Sequence, residues 1–268
     1  MNFVERLMME PPFRHLARQL LRPFVRAPSR RARWHLSPRP AYLMGMLEAV
    51  RQAAREGVDA ISVIELGVAE GEGLLAMEKE AEALESVSGI RIRLFGFDRG
   101  GGLPELIGDH RDHPNYWRPG DFPMDPTALQ ERLTNRSTLV LGDVRETVPS
   151  FFEEYDPPTI GFVAFDLDLY SSTAAALPLL RSGRILQHCP LYFDDVVNRV
   201  SHRFAGELLA IREHNRESKV KIDRWRGVEV GRAFPEYLFF QKMYMAHDLP
   251  AIAEVELDRD IRQLSVRF

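Results

Sequence analysis

From residue 41 onward, apolar positions alternate between strand-like and helix-like spacing. Short runs rich in β-branched and aromatic side chains predict strands at residues 61–66, 91–98, 138–141, 160–166 and 190–194. Apolar residues three to four apart predict helices at residues 41–56, 74–84, 173–181 and 201–215. This alternation is typical of βαβ units, so we predict an α/β fold with a doubly wound, mainly parallel sheet.

Two further segments complete the predicted architecture. Residues 219–225 and 236–245 are strand-like and predict an antiparallel pair that closes the sheet. Between the second and third strands, residues 99–126 are rich in Gly, Pro, Asp and His and predict a long loop. Long loops in compact domains usually carry function, so we expect this one to do so.

The first 40 residues differ in composition from the rest of the chain. They hold nine arginines and two glutamates, and Arg14, Arg18, Arg22 and Arg26 recur every four residues. Such a segment can bind nucleic acid or an anionic membrane, but its prolines break any long basic helix. We therefore predict a helical, arginine-rich arm over residues 1–40 that packs on the acidic body or on a second copy. Residues 41–268 form the main domain.

Overall composition narrows the class of protein. The 268 residues are 45% hydrophobic and 28% charged, which fits a globular domain with a full core. A single cysteine, Cys189, excludes an internal disulfide and fits a reducing compartment. The sequence has neither a long apolar span nor the apolar stretch of a signal peptide. We expect a cytoplasmic protein without a membrane or nucleic-acid partner.

A turn with two glycines follows the first predicted strand. Glu65 closes that strand, and Gly67 and Gly71 would let a ligand approach the backbone and the next helix N-terminus. The spacing is not GxGxxG and no phosphate-binding lysine follows, which argues against dinucleotides and nucleoside triphosphates. Asp98 ends the second strand, where an acid either accepts ribose hydroxyls or caps the turn. We predict a ligand with a ribose and no phosphate.

Acidic residues follow the next three strands. Asp143 is placed to meet an adenine edge or to cap the following helix. Asp166 and Asp168 follow the fourth strand, and Asp194 and Asp195 end the fifth. Because carboxyl ends of parallel strands form the ligand crevice, Asp166, Asp194 and Asp195 should converge there. Converging carboxylates repel one another, so a hard divalent ion such as Mg²⁺ is expected, with helix capping as the alternative.

Together these stretches resemble the macrocin O-methyltransferase family, which methylates sugar hydroxyls in macrolide biosynthesis. The resemblance runs in the family's order over segments 65–71, 102–104, 143–149 and 166–173, with Asp98 and the Asp194–Asp195 pair. It implies a class I methyltransferase fold, which is Rossmann-like, with S-adenosylmethionine (SAM) as methyl donor. It also implies a Mg²⁺ ion that binds two hydroxyls of a sugar or similar diol.

The same resemblance assigns roles to the residues above. The residues expected to contact SAM are Glu65, Gly67, Gly71, Asp98 and Asp143. Those expected to hold the metal are Asp166, Asp194 and Asp195. The main domain would then be a SAM-dependent O-methyltransferase domain acting on a small-molecule hydroxyl, such as that of a sugar or natural product, and we expect it to form a homo-oligomer.

Two other functions compete with this one. A metal-dependent glycosyltransferase would use the Asp166-x-Asp168 acids to hold a metal and a sugar diphosphate, but it leaves Glu65 and Asp98 without a role. A non-catalytic SAM-binding protein is the alternative from another class.

A hydroxyl acceptor must lose a proton when it attacks the methyl group. His110 and His113, in the long loop, are the predicted bases, with His202 as the alternative.

Overall fold

The computed structural model describes residues 13–228 and 238–254. Its strands are β1 (Ala60–Leu66), β2 (Arg91–Asp98), β3 (Ser137–Leu141), β4 (Ile160–Phe165), β5 (His188–Phe193), β6 (Val220–Arg224) and β7 (Met243–Asp248). The helices in these ranges are α1 (Phe13–Leu21), α2 (Pro28–Arg33), α3 (Pro40–Glu56), α4 (Glu72–Ser88), α5 (Pro126–Arg132), α6 (Val144–Tyr155), α7 (Tyr170–Ala176), α8 (Gly206–Glu217) and α9 (Leu249–Ala253). None of these helices is long and apolar enough to cross a bilayer.

The strands form a seven-stranded sheet in the order β3-β2-β1-β4-β5-β7-β6. Strands β1 to β5 pair in parallel, and β7 lies antiparallel between β5 and β6. The strand order therefore reverses between β1 and β4, with β2 and β3 on one side and β5 on the other. In open α/β sheets the ligand crevice lies outside the carboxyl ends of the strands at such a switch point.

This architecture confirms the predicted α/β class with a mainly parallel, doubly wound sheet. Strands β1 to β5 lie within two residues of their predicted bounds, because each has a short run of β-branched and aromatic or aliphatic residues. The closing pair is antiparallel as predicted. Its second strand begins only at Met243, since a 3₁₀ turn occupies Leu238–Lys242, and positions 236 and 237 lie outside the described residues.

Helix bounds agree less well with the predictions. The helix expected over residues 201–215 begins at Gly206, and the one expected over residues 173–181 gives way to a 3₁₀ turn at Leu177–Leu179 that contains Pro178. Helix α5 was not predicted. Its start has a recognisable signal, however, because the Asp125 side chain accepts hydrogen bonds from two backbone amides and Pro126 occupies the first turn.

The main domain buries its strongest apolar segment at the centre of the sheet. All six residues of β4 are buried, and α3 packs across β4 and β5. A Cβ atom at Gly45 of α3 would overlap the ring of Phe162, so the helix lies directly on the strand. The Tyr42 ring packs edge-on against Phe162 and Tyr192, with centroids 5.9 and 5.3 Å away. Helix α3 is thereby fixed above the switch point.

The segment that precedes α3 is held against the rest of the described chain. Helix α2 packs against α3 and α4, and Ala32 and Leu36 are buried. Arg31 forms an ion pair with Glu80 of α4, with 2.9 Å between Nη2 and Oε1. Residues that lead into α3 are thus fixed by both apolar burial and an ion pair.

The turn after β1 passes between two neighbouring strands. Gly67 donates its amide hydrogen to the carbonyl of Phe97 on β2, and Leu66 accepts one from the amide of Asp166 after β4. Gly67 has φ +83, and a Cβ atom there would overlap the backbone carbonyl oxygen of Asp166. The glycine therefore permits a close approach of two chain segments at the switch point.

We expect Gly67→Ala to destabilise the protein far more than Gly57→Ala. Both glycines have positive φ, which costs an L-residue about 1–2 kcal/mol. Only Gly67 faces immovable backbone, whereas Gly57 has open space around it. Urea denaturation of both variants measures the difference in unfolding free energy. Equal losses would contradict the packing argument.

Candidate active site

A cavity of about 730 Å³ opens at the carboxyl ends of the parallel strands. It is lined by the turn after β1, the long loop, and the segments that follow β3, β4 and β5. Seven of the predicted site residues lie on its wall, namely Glu65, Gly67, Asp98, Asp143, Asp166, Asp194 and Asp195. The crevice expected from the strand order is therefore a single continuous cavity.

Three predicted residues do not line this cavity. Gly71 begins the turn into α4 with φ +83, and a Cβ atom there would overlap the Leu129 side chain of α5. His110 is exposed at the start of a 3₁₀ turn. His113 is buried and lines a small adjoining crevice instead.

Asp98 organises the turn beside the cavity. Its Oδ2 atom accepts hydrogen bonds from the amides of Val68 (2.9 Å) and Ala69 (3.0 Å), and its Oδ1 atom accepts one from Gly100 (2.7 Å). The turn-capping role is therefore present in the structure. Because the side chain is only half-buried and each carboxylate oxygen has two lone pairs, it can still accept a ligand hydroxyl.

Asp143 likewise serves as a helix cap. Its carboxylate accepts a hydrogen bond from the backbone amide of Arg145 at 2.9 Å and pairs with the Arg145 guanidinium, with 2.6 Å between Oδ2 and Nη2. This pairing lowers the pKa of Asp143. The residue combines capping of α6 with a position on the cavity wall.

Glu65 is a buried acid at the end of β1. Its Oε1 atom accepts a hydrogen bond from the Tyr42 hydroxyl at 2.9 Å, whereas Oε2 is buried without a hydrogen-bond partner. Burial, more than any neighbouring charge, raises the pKa of Glu65 to about 8. A cationic ligand group in the cavity would stabilise the ionised form.

Three carboxylates meet where β4 and β5 end. Strands β4 and β5 pair in parallel with Phe165 opposite Phe193, so the residues that follow them are neighbours. Asp166, Asp194 and Asp195 each offer one oxygen atom, and these atoms all lie within 4.8 Å of one another. The convergence expected from the sequence is therefore present.

These carboxylates are only partly neutralised by the protein. Lys242 forms an ion pair with Asp194, with 2.9 Å from Nζ to Oδ1, and the Tyr192 hydroxyl donates to the same oxygen. Burial, followed by the charges of Asp194 and Asp195, raises the pKa of Asp166. The Oδ2 atom of Asp195 is buried without a donor. Further positive charge or protons are required here, and an oxygen-ligated divalent cation fits that requirement.

Asp168 belongs to the same site, although the sequence gives it a role only in the glycosyltransferase alternative. It lines the cavity and has φ +61, a conformation that costs a non-glycine residue free energy. Burial, followed by the Asp195 charge, raises the pKa of its carboxyl group. The strained turn directs a second acid from the same segment towards the cavity.

Behind Asp195 lies a supporting cluster in which Glu207 and His113 are buried. The Oε2 atom of Glu207 on α8 accepts a hydrogen bond from the Asp195 backbone amide at 2.8 Å. His113 and His202 pack edge-on with ring centroids 5.1 Å apart and line the small crevice beside Asp168. Burial, followed by the proximity of His202, lowers the pKa of His113. These residues fix the loops on which the acids lie.

The long loop forms the outer wall of the cavity. Backbone hydrogen bonds of 2.8 Å join Leu103 to Asp121 and Gly120 to Leu103, which brings the two ends of the loop together. Buried Asp112 accepts hydrogen bonds from the amide and hydroxyl of Ser171, both at 2.8 Å, and ties the loop to α7. The loop adds an apolar surface to the acidic cavity, made of Leu103, Pro104, Trp117, Phe122 and Pro123.

The arm contributes a cation to the same cavity. Arg39, at the start of α3, lines the wall near Glu65 and Asp166. Arg39 could not be singled out as a site residue from the sequence, because it is one of nine arginines among the first 40 residues. Its one distinguishing signal is the position immediately before Pro40, the first residue of the helix.

Comparison with known proteins identifies the fold. No protein-family model matches the chain, and neither does any curated protein. The solved structure of the calicheamicin methyltransferase CalS11 superposes with a TM-score of 0.51 and 25% identity, covering 81% of this chain and 90% of that one. The O-methyltransferase NovP superposes with a TM-score of 0.53 and 15% identity, covering 75% and 77%. The chain has a class I, Rossmann-like methyltransferase fold; its narrower resemblance to the macrocin family stays a prediction.

We expect Glu65→Gln to reduce the pH dependence of stability. The folded-state pKa of Glu65 is about 8, against an ordinary value of 4.5, so the folded protein holds a proton that the unfolded chain releases. Glu65 therefore stabilises the fold least at high pH, and its contribution falls by at most about 1.4 kcal/mol per pH unit between these two values.

The measurement is the free energy of unfolding of the ligand-free protein between pH 5 and pH 8.5. Relative to wild type, Glu65→Gln should gain stability as the pH rises. Glu82→Gln, at an exposed position of α4, is the control and should parallel wild type. Parallel curves for all three proteins would show that Glu65 is ionised when buried.

Proposed function

We propose that this protein is a SAM-dependent methyltransferase that methylates a hydroxyl group of a small molecule with the help of Mg²⁺. One observation carries the proposal: the glycine turn with Glu65 and Asp98 opens into the same cavity as the Asp166, Asp194 and Asp195 carboxylates. A ribose-bearing donor and a metal-bound acceptor would therefore meet within one enclosed space. The likeness to CalS11, a methyltransferase, supports the choice of reaction.

The residues of the cavity fit both groups. Asp98 would accept the ribose hydroxyls of SAM, and the turn at Gly67 would lie against the cofactor. Asp166, Asp194 and Asp195 would hold the metal, which when bound supplies charge that lowers the pKa of a coordinated hydroxyl. Binding both reactants side by side brings the acceptor oxygen towards the methyl carbon, and such positioning supplies much of the rate of a displacement.

We propose Asp168, rather than His110, as the group that takes the hydroxyl proton. Asp168 lines the cavity beside Asp195, whereas His110 is exposed outside it. His113 lies in the adjoining crevice against His202, where it would support the loop near the acceptor. A base must come within hydrogen-bond reach of the proton that it removes, and geometry favours the aspartate.

A hydroxyl of a sugar or a related natural product is the proposed acceptor. The apolar wall formed by Trp117, Phe122 and Leu103 would contact its carbon skeleton, and the acidic floor would take its hydroxyls. We further propose that the protein is cytoplasmic and homo-oligomeric, with an arm over residues 1–40.

The glycosyltransferase alternative predicts a different ligand. A sugar diphosphate would bring negative charge into a cavity that already contains several carboxylates. Calorimetric titration with S-adenosylhomocysteine (SAH) and with uridine diphosphate glucose separates the two. We expect only SAH to bind, and exclusive binding of the sugar nucleotide would overturn the proposed function.

We expect Asp166→Asn and Asp168→Asn to lose activity for different reasons. Asp166→Asn removes a metal ligand, so Mg²⁺ affinity measured calorimetrically with SAH present should fall at least about tenfold. Asp168→Asn should leave Mg²⁺ affinity close to that of wild type while turnover falls by about 10²–10⁴. Both variants should still bind SAH.

Turnover is measured as acceptor-dependent release of SAH from SAM, using a panel of free sugars and glycosides, with and without excess EDTA. Reactions without acceptor are the control. Full activity of Asp166→Asn in EDTA would show that the aspartates are structural caps. Loss of Mg²⁺ affinity in Asp168→Asn would assign that residue to the metal instead.

A further inference from the structure

Arg39 is a half-buried cation in the cavity that lacks a counter-ion. Its guanidinium lies over the Tyr42 ring, 5.7 Å from the centroid. Within the part of the chain that the structure describes, this guanidinium forms no hydrogen bond or ion pair with another side chain. Arg99, the other arginine on the cavity wall, donates to the carbonyl oxygen of Leu103. Arg99 thus uses one donor on the protein itself, whereas the Arg39 guanidinium uses none within the described residues.

The surroundings of Arg39 favour its positive charge, but the described residues provide no hydrogen-bond acceptor or ion-pair partner for the guanidinium. Glu65 and Asp166 are close enough to interact electrostatically with the guanidinium, yet neither forms an ion pair with it. Partial burial removes water from a guanidinium with five N–H donors, which is costly when no acceptor replaces that water. An anionic group entering the cavity would remove this cost and gain a charge-assisted hydrogen bond.

We infer that Arg39 binds the carboxylate of the amino-acid part of SAM. SAM carries a carboxylate and an ammonium on one carbon, and the cavity offers a cation and an acid, Arg39 and Glu65, side by side. A phosphate on the acceptor is a poorer match, because it would bring a larger negative charge, and no ammonium to offset it, into a cavity lined by several carboxyl groups. The inference rests on the proposed function, since it assigns a contact to the cofactor proposed there.

This assignment gives the arginine-rich arm a part in cofactor binding. Arg39 stands at the junction of arm and domain, and α2 immediately before it is fixed by the ion pair between Arg31 and Glu80. The binding groups for the two ends of SAM then come from different segments. The arm supplies the group for the amino-acid end, and the turns after β1 and β2 supply those for the nucleoside.

The test compares two ligands that differ only in the amino-acid part. SAH carries the carboxylate, and 5′-methylthioadenosine keeps the nucleoside and sulfur but lacks it. We expect Arg39→Gln to weaken SAH binding about 10- to 100-fold, while methylthioadenosine binding stays within about twofold. Arg39→Lys should be intermediate, since it keeps the charge but loses the bidentate fork. Arg33→Gln, at an exposed position of α2, is the matched control and should change neither affinity.

Retained methylthioadenosine binding also shows that Arg39→Gln is folded. If this variant weakens both ligands equally, or leaves SAH affinity unchanged, the inference is wrong while the proposed function stands. If wild-type protein binds neither SAH nor methylthioadenosine, the proposed function fails and the inference with it.

Discussion

Mutual repulsion of half-buried carboxylates shapes the chemistry of the cavity. Parallel pairing of β4 and β5 brings Asp166, Asp194 and Asp195 together, and Asp168 joins them through a strained turn. Such a cluster opposes folding unless protons or cations neutralise it. Lys242 supplies one positive charge from outside the sheet. The proposed metal would supply the remainder, so the feature that costs stability in the ligand-free protein is the one that would bind a cation.

The cavity presents different chemical groups along its length. The acidic cluster lies at the ends of β4 and β5, whereas the turns after β1 and β2 present backbone amides tied down by Asp98. Arg39 stands near the boundary and introduces positive charge from the arm. A donor that is neutral at its nucleoside end, zwitterionic at its amino-acid end and cationic at sulfur complements this arrangement.

Much of the fold and part of the site could be predicted from the sequence. Strands β1 to β5 can be recognised as short apolar runs. Acids at the ends of such strands lie together at the carboxyl ends of a parallel sheet, which is how Asp98, Asp166 and Asp194 could be placed there from the sequence. The position of Arg39 on the cavity wall could not be predicted from the strand pattern, because it depends on how α2 packs on α4. Asp168 was seen in the motif, but only the backbone conformation of its turn directs it into the cavity. His110 looked suitable by residue type, yet it lies exposed.

The proposed function requires that one cavity hold the methyl donor and a divalent cation side by side. A crystal structure of the protein with SAH and Mn²⁺, with the metal located by anomalous scattering, tests it most directly. We expect Mn²⁺ to be coordinated by Asp166, Asp194 and Asp195. SAH should extend from Asp98 towards Arg39, with its sulfur facing the metal. Binding of SAH elsewhere, or a three-aspartate cluster that stays free of Mn²⁺ while SAH is bound, would contradict it.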